Sequence, residues 1–254
     1  MRTQTKDIQT TLTPKMAFDI LKEGNRRFVN NLRANRNLLQ QVNETSAGQF
    51  PFAVVLSCID SRTSAELVFD QGLGDIFSVR IAGNVLNEDI LGSMEFACLV
   101  AGSKLIVVLG HSRCGAVKGA CDYVQMGHLT GLLTKISPAV HVVETSHGRG
   151  PEPQAFVEHV ALENTRQQMR AILERSPILE HLFNEGKIGI VSAMYSVESG
   201  DVTFHDHLFQ SEAAPAPLAA AARRAAPGAY FTRRQVMRDT CWPPPATGVG
   251  GGRR

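Results

Sequence analysis

Two short runs of consecutive apolar residues constrain the fold of this chain more than any other feature of its sequence. Residues 52–57 read FAVVLS and residues 104–109 read KLIVVL, so each contains five consecutive apolar residues, several of them β-branched. A strand with one face in water alternates apolar and polar residues, whereas a strand covered on both faces is apolar throughout. The two runs therefore predict central strands of a sheet that is covered on both faces.

Helical patterns alternate with strand patterns along the rest of the chain. One or two helices within residues 15–32 form an N-terminal arm. Further helices are predicted over 64–69, 90–100, 116–126 and 155–185, the last broken at Ser176-Pro177, and further strands over 76–81, 187–195 and 202–204. Because alternating strands and helices form βαβ units, the predicted fold class is α/β, with a mainly parallel β-sheet flanked by helices.

The length of 254 residues and a change in composition define the domain organisation. The length is about 1.7 times a typical domain of roughly 150 residues, which favours one large domain with appendages. We assign residues 1–212 to an α/β domain with N-terminal helices and residues 213–254 to a Pro-, Ala- and Arg-rich tail. The tail holds six of the twelve prolines. Its composition predicts a disordered segment.

The distribution of charge and of apolar residues excludes several classes of partner. Residues 213–254 carry seven arginines and one acid, a net charge of +6, so the total of +2 leaves −4 for residues 1–212. A nucleic-acid-binding domain needs a basic folded face, so we expect no nucleic-acid partner. No apolar stretch approaches the ~18 to 20 residues of a membrane span. The polar, charged N-terminus does not resemble a signal peptide, and we expect a cytoplasmic protein.

Polar residues follow two of the predicted strands directly. The first run ends at Cys58, Asp60 and Arg62, and the second at His111 and Cys114. Open parallel sheets bind ligands beyond the carboxyl ends of their strands. Two thiols, an imidazole and a carboxylate form the N, S and O donor set that zinc prefers, and three firm ligands with one exchangeable position are typical of a catalytic zinc site. The sequence favours catalytic zinc at this edge.

A purely structural interpretation of these residues stays open at this point. A lone H-x-x-C sequence at a strand end is more often a hydrogen-bonded histidine and a packed cysteine than a metal site. Asp60 and Arg62 could form a simple structural ion pair. The five cysteines are odd in number and widely spaced, which favours reduced thiols over a disulfide framework. Cys98 and Cys121 fall within predicted helices and are expected to be buried packing residues.

The two polar sequences resemble a known family. Cys58-Ile-Asp-Ser-Arg62 and Gly110-His-Ser-Arg-Cys-Gly115 look like the two signature motifs of the β-class carbonic anhydrases, and the resemblance covers roughly residues 15–207. It implies Zn²⁺ bound by three residues of these motifs, Cys58, His111 and Cys114. It further implies a catalytic dyad of Asp60 and Arg62.

The resemblance also implies a substrate pocket and an assembly. It assigns five residues to the pocket: Gln49, Phe77, Ala82, Phe96 and Gly115. Phe96 departs from the family pattern, because this position often carries Tyr, and the hydroxyl is missing here. Members of the family form dimers or higher assemblies with pocket residues from two subunits, so the resemblance implies a homodimer or homotetramer.

The activity implied by the resemblance is the reversible hydration of carbon dioxide to bicarbonate and a proton by a zinc-bound hydroxide. Zinc lowers the pKa of bound water from 15.7 towards ~7. Asp60 would accept a hydrogen bond from the hydroxide, and Arg62 would hold Asp60 off the metal. If Asp60 itself bound zinc, the open position would disappear, and this arrangement is expected to be an inactive closed state.

Three alternative functions remain open from the sequence. The same site could hydrolyse a carbon dioxide analogue, COS or CS₂. Cys58 could be the nucleophile of a thiol enzyme, although a cysteine phosphatase needs Arg at the sixth position after Cys and Arg62 is at the fourth. The chain could also be a non-catalytic zinc-binding module that interacts through its basic tail.

Overall fold

A five-stranded sheet forms the centre of the computed structural model, which describes residues 3–210. Its strands are β1 (Ala53–Ser57), β2 (Ile76–Arg80), β3 (Leu105–His111), β4 (Gly189–Tyr195) and β5 (Val202–Leu208). They lie in the order β2-β1-β3-β4-β5; the first four are parallel, and β5 runs antiparallel to β4. The predicted fold class, a mainly parallel sheet flanked by helices, is confirmed.

Ten α-helices accompany the sheet within the described residues. They are α1 (Lys6–Thr11), α2 (Pro14–Val29), α3 (Leu38–Thr45), α4 (Ala65–Val68), α5 (Glu88–Glu95), α6 (Gly115–Cys121), α7 (Gly127–Leu133), α8 (Ser137–His147), α9 (Pro153–Arg175) and α10 (Pro177–Asn184). A 3₁₀ turn covers Ala82–Asn84, and a π-helical turn, Phe96–Val100, continues α5. The sequence patterns identified the arm helix α2 but did not identify α1, α3, α7 and α8.

One predicted helix, over residues 116–126, is wrong in its second half. α6 ends at Cys121, and Tyr123 adopts a left-handed backbone with φ 54°. Residues other than Gly, Asn and Asp rarely adopt this conformation, and a right-handed helix cannot continue through it. The backbone N–H of Val124 bonds back to the carbonyl of Gly119, which closes the turn before α7 begins.

The central strands are covered on both faces, as their continuous apolar runs predicted. Every residue of β1 and β3 is buried. Because successive side chains alternate across a strand, Val55 packs with Leu21 of α2 on one face of the sheet. Val54 and Leu56 point to the opposite face and pack in a cluster that includes Ile172 of α9. Helices from both ends of the chain therefore enclose one sheet.

A buried carboxylate joins the N-terminal arm to the body of the domain. The Asp70 side chain is 3% exposed and is paired with Arg27 of α2 and with Arg36. Its carboxylate also accepts the backbone N–H of Ala34 at 3.1 Å. Burial raises the pKa of Asp70, but the hydrogen bonds from the two arginines outweigh burial and hold this pKa below its ordinary value. The ionised carboxylate thus stabilises the docked arm.

Two further predictions concern a membrane span and the C-terminal tail. Among the described helices, none has the length and apolarity that crossing a bilayer requires. The predicted disordered tail, residues 213–254, lies outside the described residues.

Candidate metal centre

The sheet topology brings the two polar sequences together. Cys58 follows β1 directly, whereas β3 ends at His111 and leads to Cys114 at the N-terminus of α6. β1 and β3 are parallel neighbours with Ser57 opposite Leu109. The carboxyl ends of both strands therefore lie side by side, and the three predicted ligands extend from adjacent loops.

The ligand atoms of these residues converge in a buried cluster. The sulfurs of Cys58 and Cys114 and a ring nitrogen of His111 all lie within 4.8 Å of one another, and all three residues are buried. In a tetrahedral site with Zn–S distances of about 2.3 Å, two sulfur ligands are separated by about 3.8 Å. The spacing of the cluster is compatible with one zinc ion.

The hydrogen bonds of His111 fix which nitrogen is available. Nδ1 lies 2.9 Å from the carbonyl oxygen of Ser112. A carbonyl oxygen can only accept, so Nδ1 carries the proton and the neutral ring has its lone pair on Nε2. This Nε2 is buried and has no hydrogen-bond partner among the described residues. Buried polar atoms are normally partnered, so an unpartnered lone pair beside two thiols fits a metal ligand.

The two thiols have strongly different proton affinities. The Cys114 thiol donates to Cys58 and lowers the pKa of Cys58, against the effect of burial, and the Gly83 N–H adds to this shift. The same hydrogen bond, together with burial, raises the pKa of Cys114. A nearby cation would favour loss of the proton on Cys114, because a bound metal ion deprotonates a coordinating thiol.

Asp60 faces the cluster but is held by Arg62. The Asp60 Oδ2 lies 3.9 Å from the His111 Nε2. The Arg62 Nε donates to Oδ1 at 2.9 Å and its Nη2 donates to Oδ2 at 2.8 Å, and the backbone N–H of Arg62 adds a third bond at 2.9 Å. This bidentate pair is charge-assisted and fixed in orientation. The Arg62 guanidinium holds the pKa of Asp60 well below its ordinary value.

Comparisons with known proteins show which family this chain resembles. The family model described as "Carbonic anhydrase" matches residues 53–202. "Carbonic anhydrase 2" of Mycobacterium tuberculosis H37Rv is 36% identical over 203 residues, which cover 77% of this chain and 94% of the relative. The carbonic anhydrase of Mycolicibacterium smegmatis is 36% identical over 202 residues, which cover 77% of this chain and 95% of the relative.

A comparison with solved structures identifies the fold. One of two tetrameric β-carbonic anhydrases from Sordaria macrospora superposes with a TM-score of 0.61 at 20% identity, over 64% of this chain and 84% of that chain. The chain belongs to the β-carbonic anhydrase family. The resemblance drawn from the two motifs is therefore confirmed.

Two residues that the motifs did not single out hold the Cys58 loop of this carbonic anhydrase. The Arg80 side chain, at the end of β2, donates to the carbonyl of Cys58 at 3.0 Å and to the carbonyl of Asp60 at 2.7 Å. The backbone N–H of Gly83 donates to the Cys58 Sγ at 3.3 Å. Both residues lie between the two motifs in the sequence, but no local spacing reveals which atoms they contact.

Two acidic side chains stabilise the turn between His111 and Cys114. Arg113 adopts a left-handed backbone with φ 55°. Its N–H donates to the Glu158 carboxylate of α9 at 2.8 Å, and its side chain pairs with Glu198. These two acids from distant segments stabilise a strained residue between two of the predicted ligands.

The five predicted pocket residues lie on five separate segments of the fold. Phe77 and Phe96 meet edge to face with ring centroids 6.3 Å apart and line a groove of about 760 Å³ along β2 that also includes Arg80. Ala82 begins the 3₁₀ turn before Gly83.

Gly115 and Gln49 complete this set. Gly115 is the first residue of α6, beside Cys114, with open space where a Cβ would lie. Gln49 is exposed and precedes β1, whose opposite end carries Cys58. Within one chain, the described structure does not bring Gln49 to the cluster.

Proposed function

We propose that this carbonic anhydrase catalyses the reversible hydration of carbon dioxide to bicarbonate and a proton, with zinc held by Cys58, His111 and Cys114. The observation that supports the metal most strongly is the buried, unpartnered His111 Nε2 beside two thiols. When bound, zinc supplies a Lewis acid that lowers the pKa of water towards about 7 and so provides a nucleophile at neutral pH.

Asp60 and Arg62 act as a unit in this proposal. The Asp60 carboxylate accepts a hydrogen bond from the attacking water and orients it towards the carbon of the substrate. Arg62 holds the pKa of Asp60 far below neutrality, so the carboxylate stays an acceptor over the neutral range. Arg62 also occupies both carboxylate oxygens. If Asp60 is released, it becomes a metal ligand and closes the site in an inactive state.

The pocket for carbon dioxide is mostly apolar in this proposal. Phe77, Phe96 and Ala82 form the wall that suits a small nonpolar substrate, and Gly115 leaves open space next to Cys114. Gln49 would orient the oxygens of bicarbonate. Because Gln49 lies beyond the opposite end of β1 from Cys58, we propose that it serves the site of a second copy of the chain. A homodimer or homotetramer follows, in keeping with the tetrameric Sordaria macrospora enzymes.

The other functions gain no supporting observation. Both thiols of the cluster are buried, and Arg62 is engaged by Asp60, which does not resemble a phosphate cradle around a nucleophilic Cys58. The mycobacterial relatives bear the name carbonic anhydrase, which favours neither a hydrolase of COS or CS₂ nor a non-catalytic zinc module.

Stopped-flow carbon dioxide hydration on protein of measured zinc content tests the proposal. We expect about one zinc per chain and rapid hydration, with COS and CS₂ assayed in parallel as competing substrates. Cys114→Ser should lose both metal and activity, because a neutral hydroxyl is a poor substitute for a thiolate. Full zinc retention and normal turnover in this variant would show that the ligand set is wrong.

A further inference from the structure

Two amide side chains of α9, Asn164 and Gln168, are buried inside the domain. Asn164 is 1% exposed and Gln168 is 8% exposed. They are one helical turn apart, so they share one face of α9. A buried amide is costly unless its donors and acceptors are satisfied. Their partners therefore indicate what the two residues do.

The two amides form a directed chain of hydrogen bonds that ends on a metal ligand. The Leu86 N–H donates to the Gln168 Oε1 at 2.9 Å, and the Gln168 Nε2 donates to the Asn164 Oδ1 at 3.2 Å. The Asn164 Nδ2 then donates to the Gly83 carbonyl at 2.9 Å. The Gly83 N–H donates to the Cys58 Sγ at 3.3 Å.

This chain fixes the orientation of both amides without ambiguity. The Leu86 N–H can only donate, so it must meet the oxygen of Gln168, and this leaves the NH₂ group of Gln168 for Asn164. The Gly83 carbonyl can only accept, so it must meet the NH₂ group of Asn164. Each link determines the next, and reversing either amide would break two hydrogen bonds.

Gly83 is the link that needs to be held. Its backbone is left-handed, with φ 67° and ψ 17°, and glycine has more backbone freedom than any other residue. Asn164 fixes the carbonyl of Gly83, while the N–H of the same residue points at the Cys58 sulfur. If the carbonyl were released, the direction of this N–H would no longer be determined.

We propose that Asn164, oriented by Gln168, is a positioning residue for the Cys58 thiolate. Acting through Gly83, it sets where the sulfur lies and how much of its charge is shared with a hydrogen bond instead of with the metal. Partners of this kind behind the ligands typically affect metal affinity or activity by 10- to 100-fold. This inference rests on the proposed zinc site.

The experiment measures zinc affinity of the full chain by competition with a chromophoric chelator. It also measures the thiolate-to-metal charge-transfer band of the cobalt(II)-substituted full chain. Asn164→Leu removes the Gly83 and Gln168 bonds with little change in size. We expect about a tenfold loss of zinc affinity and a shifted charge-transfer band. Gln168→Leu, one link further away, should change both in the same direction but less.

Ser192→Ala is the matched control. Ser192 is fully buried and also makes two hydrogen bonds, but both join it to Asp206 of β5. This variant should lower the temperature of unfolding and leave the zinc affinity and the cobalt band unchanged.

The outcomes separate the inference from the proposed function. A parent protein that binds no zinc would refute the zinc proposal itself. A parent that binds zinc, with N164L less stable but identical in affinity and spectrum, would overturn the positioning role and leave the zinc proposal intact. If N164L does not fold, Q168L decides: parental affinity and spectrum overturn the inference, and a shift in both supports it.

Discussion

Gly83→Ala is the substitution whose cost the structure defines most directly. A Cβ at this position would lie 2.6 Å from the Ile136 Cδ1 and 3.4 Å from the Ala116 Cβ. Ile136 is fully buried, so its side chain has little room to move. The left-handed backbone adds a second cost, because an L-residue with φ 67° brings its Cβ close to the following carbonyl.

The two costs have comparable size. The left-handed conformation costs about 1 to 2 kcal/mol, and overpacking a buried site by one methyl costs about 1 to 3 kcal/mol. A total of about 3 kcal/mol corresponds to a fall of about 9 °C in the unfolding temperature of a domain this size. Any displacement of Gly83 also moves its N–H away from the Cys58 Sγ, so zinc affinity should fall as well.

Thermal unfolding of the zinc-loaded protein and chelator competition measure both effects. Gly131→Ala is the control, because Gly131 lies within α7 with nothing near the position of a Cβ. This change should raise stability by about 0.5 to 1 kcal/mol. Adding Ile136→Val to G83A removes the atom that clashes and should recover part of the loss. Unfolding of G83A at the parental temperature would refute the steric argument.

Three further predictions concern the dyad, the arm and the tail. Arg62→Ala should retain zinc but hydrate carbon dioxide about 10- to 100-fold more slowly. Arg62→Lys should not restore the rate, because lysine lacks the bidentate fork of arginine. Parental turnover in R62A would refute the proposal that Arg62 holds Asp60 off the metal. Asp70→Asn should lower the free energy of unfolding by about 3 to 5 kcal/mol at neutral pH. Since the folded pKa of Asp70 is lowered, its contribution is complete above the ordinary carboxyl pKa and is lost as pH falls through the folded value, so urea titrations of parent and D70N should converge in acid. Deleting residues 213–254 should leave the rate of carbon dioxide hydration nearly unchanged. Loss of most of the activity would show that the tail is needed by the catalytic domain.

The sequence by itself determined the sheet and the chemistry at its edge. Residues 52–56 and 105–109 are apolar throughout because both faces of these strands are buried, and this requirement acts on every residue of the strand interior. Cys58, His111 and Cys114 were recognisable because they lie at the ends of these strands or within a few residues of them. A ligand type and a strand end are both local properties, so both can be identified without knowing the fold.

Only the tertiary structure decided how these local pieces meet. The order β2-β1-β3 places the Cys58 loop beside the His111 loop, and no pattern within either strand specifies that neighbour. Arg80 contacts carbonyls about 20 residues away, and Asn164 contacts Gly83 across 81 positions. Such contacts leave no period in the sequence, because an amide that meets a distant carbonyl needs only its own residue type. The proposed ligands are therefore evident in the chain, whereas the residues proposed to position them become evident only when the helix has packed against the sheet.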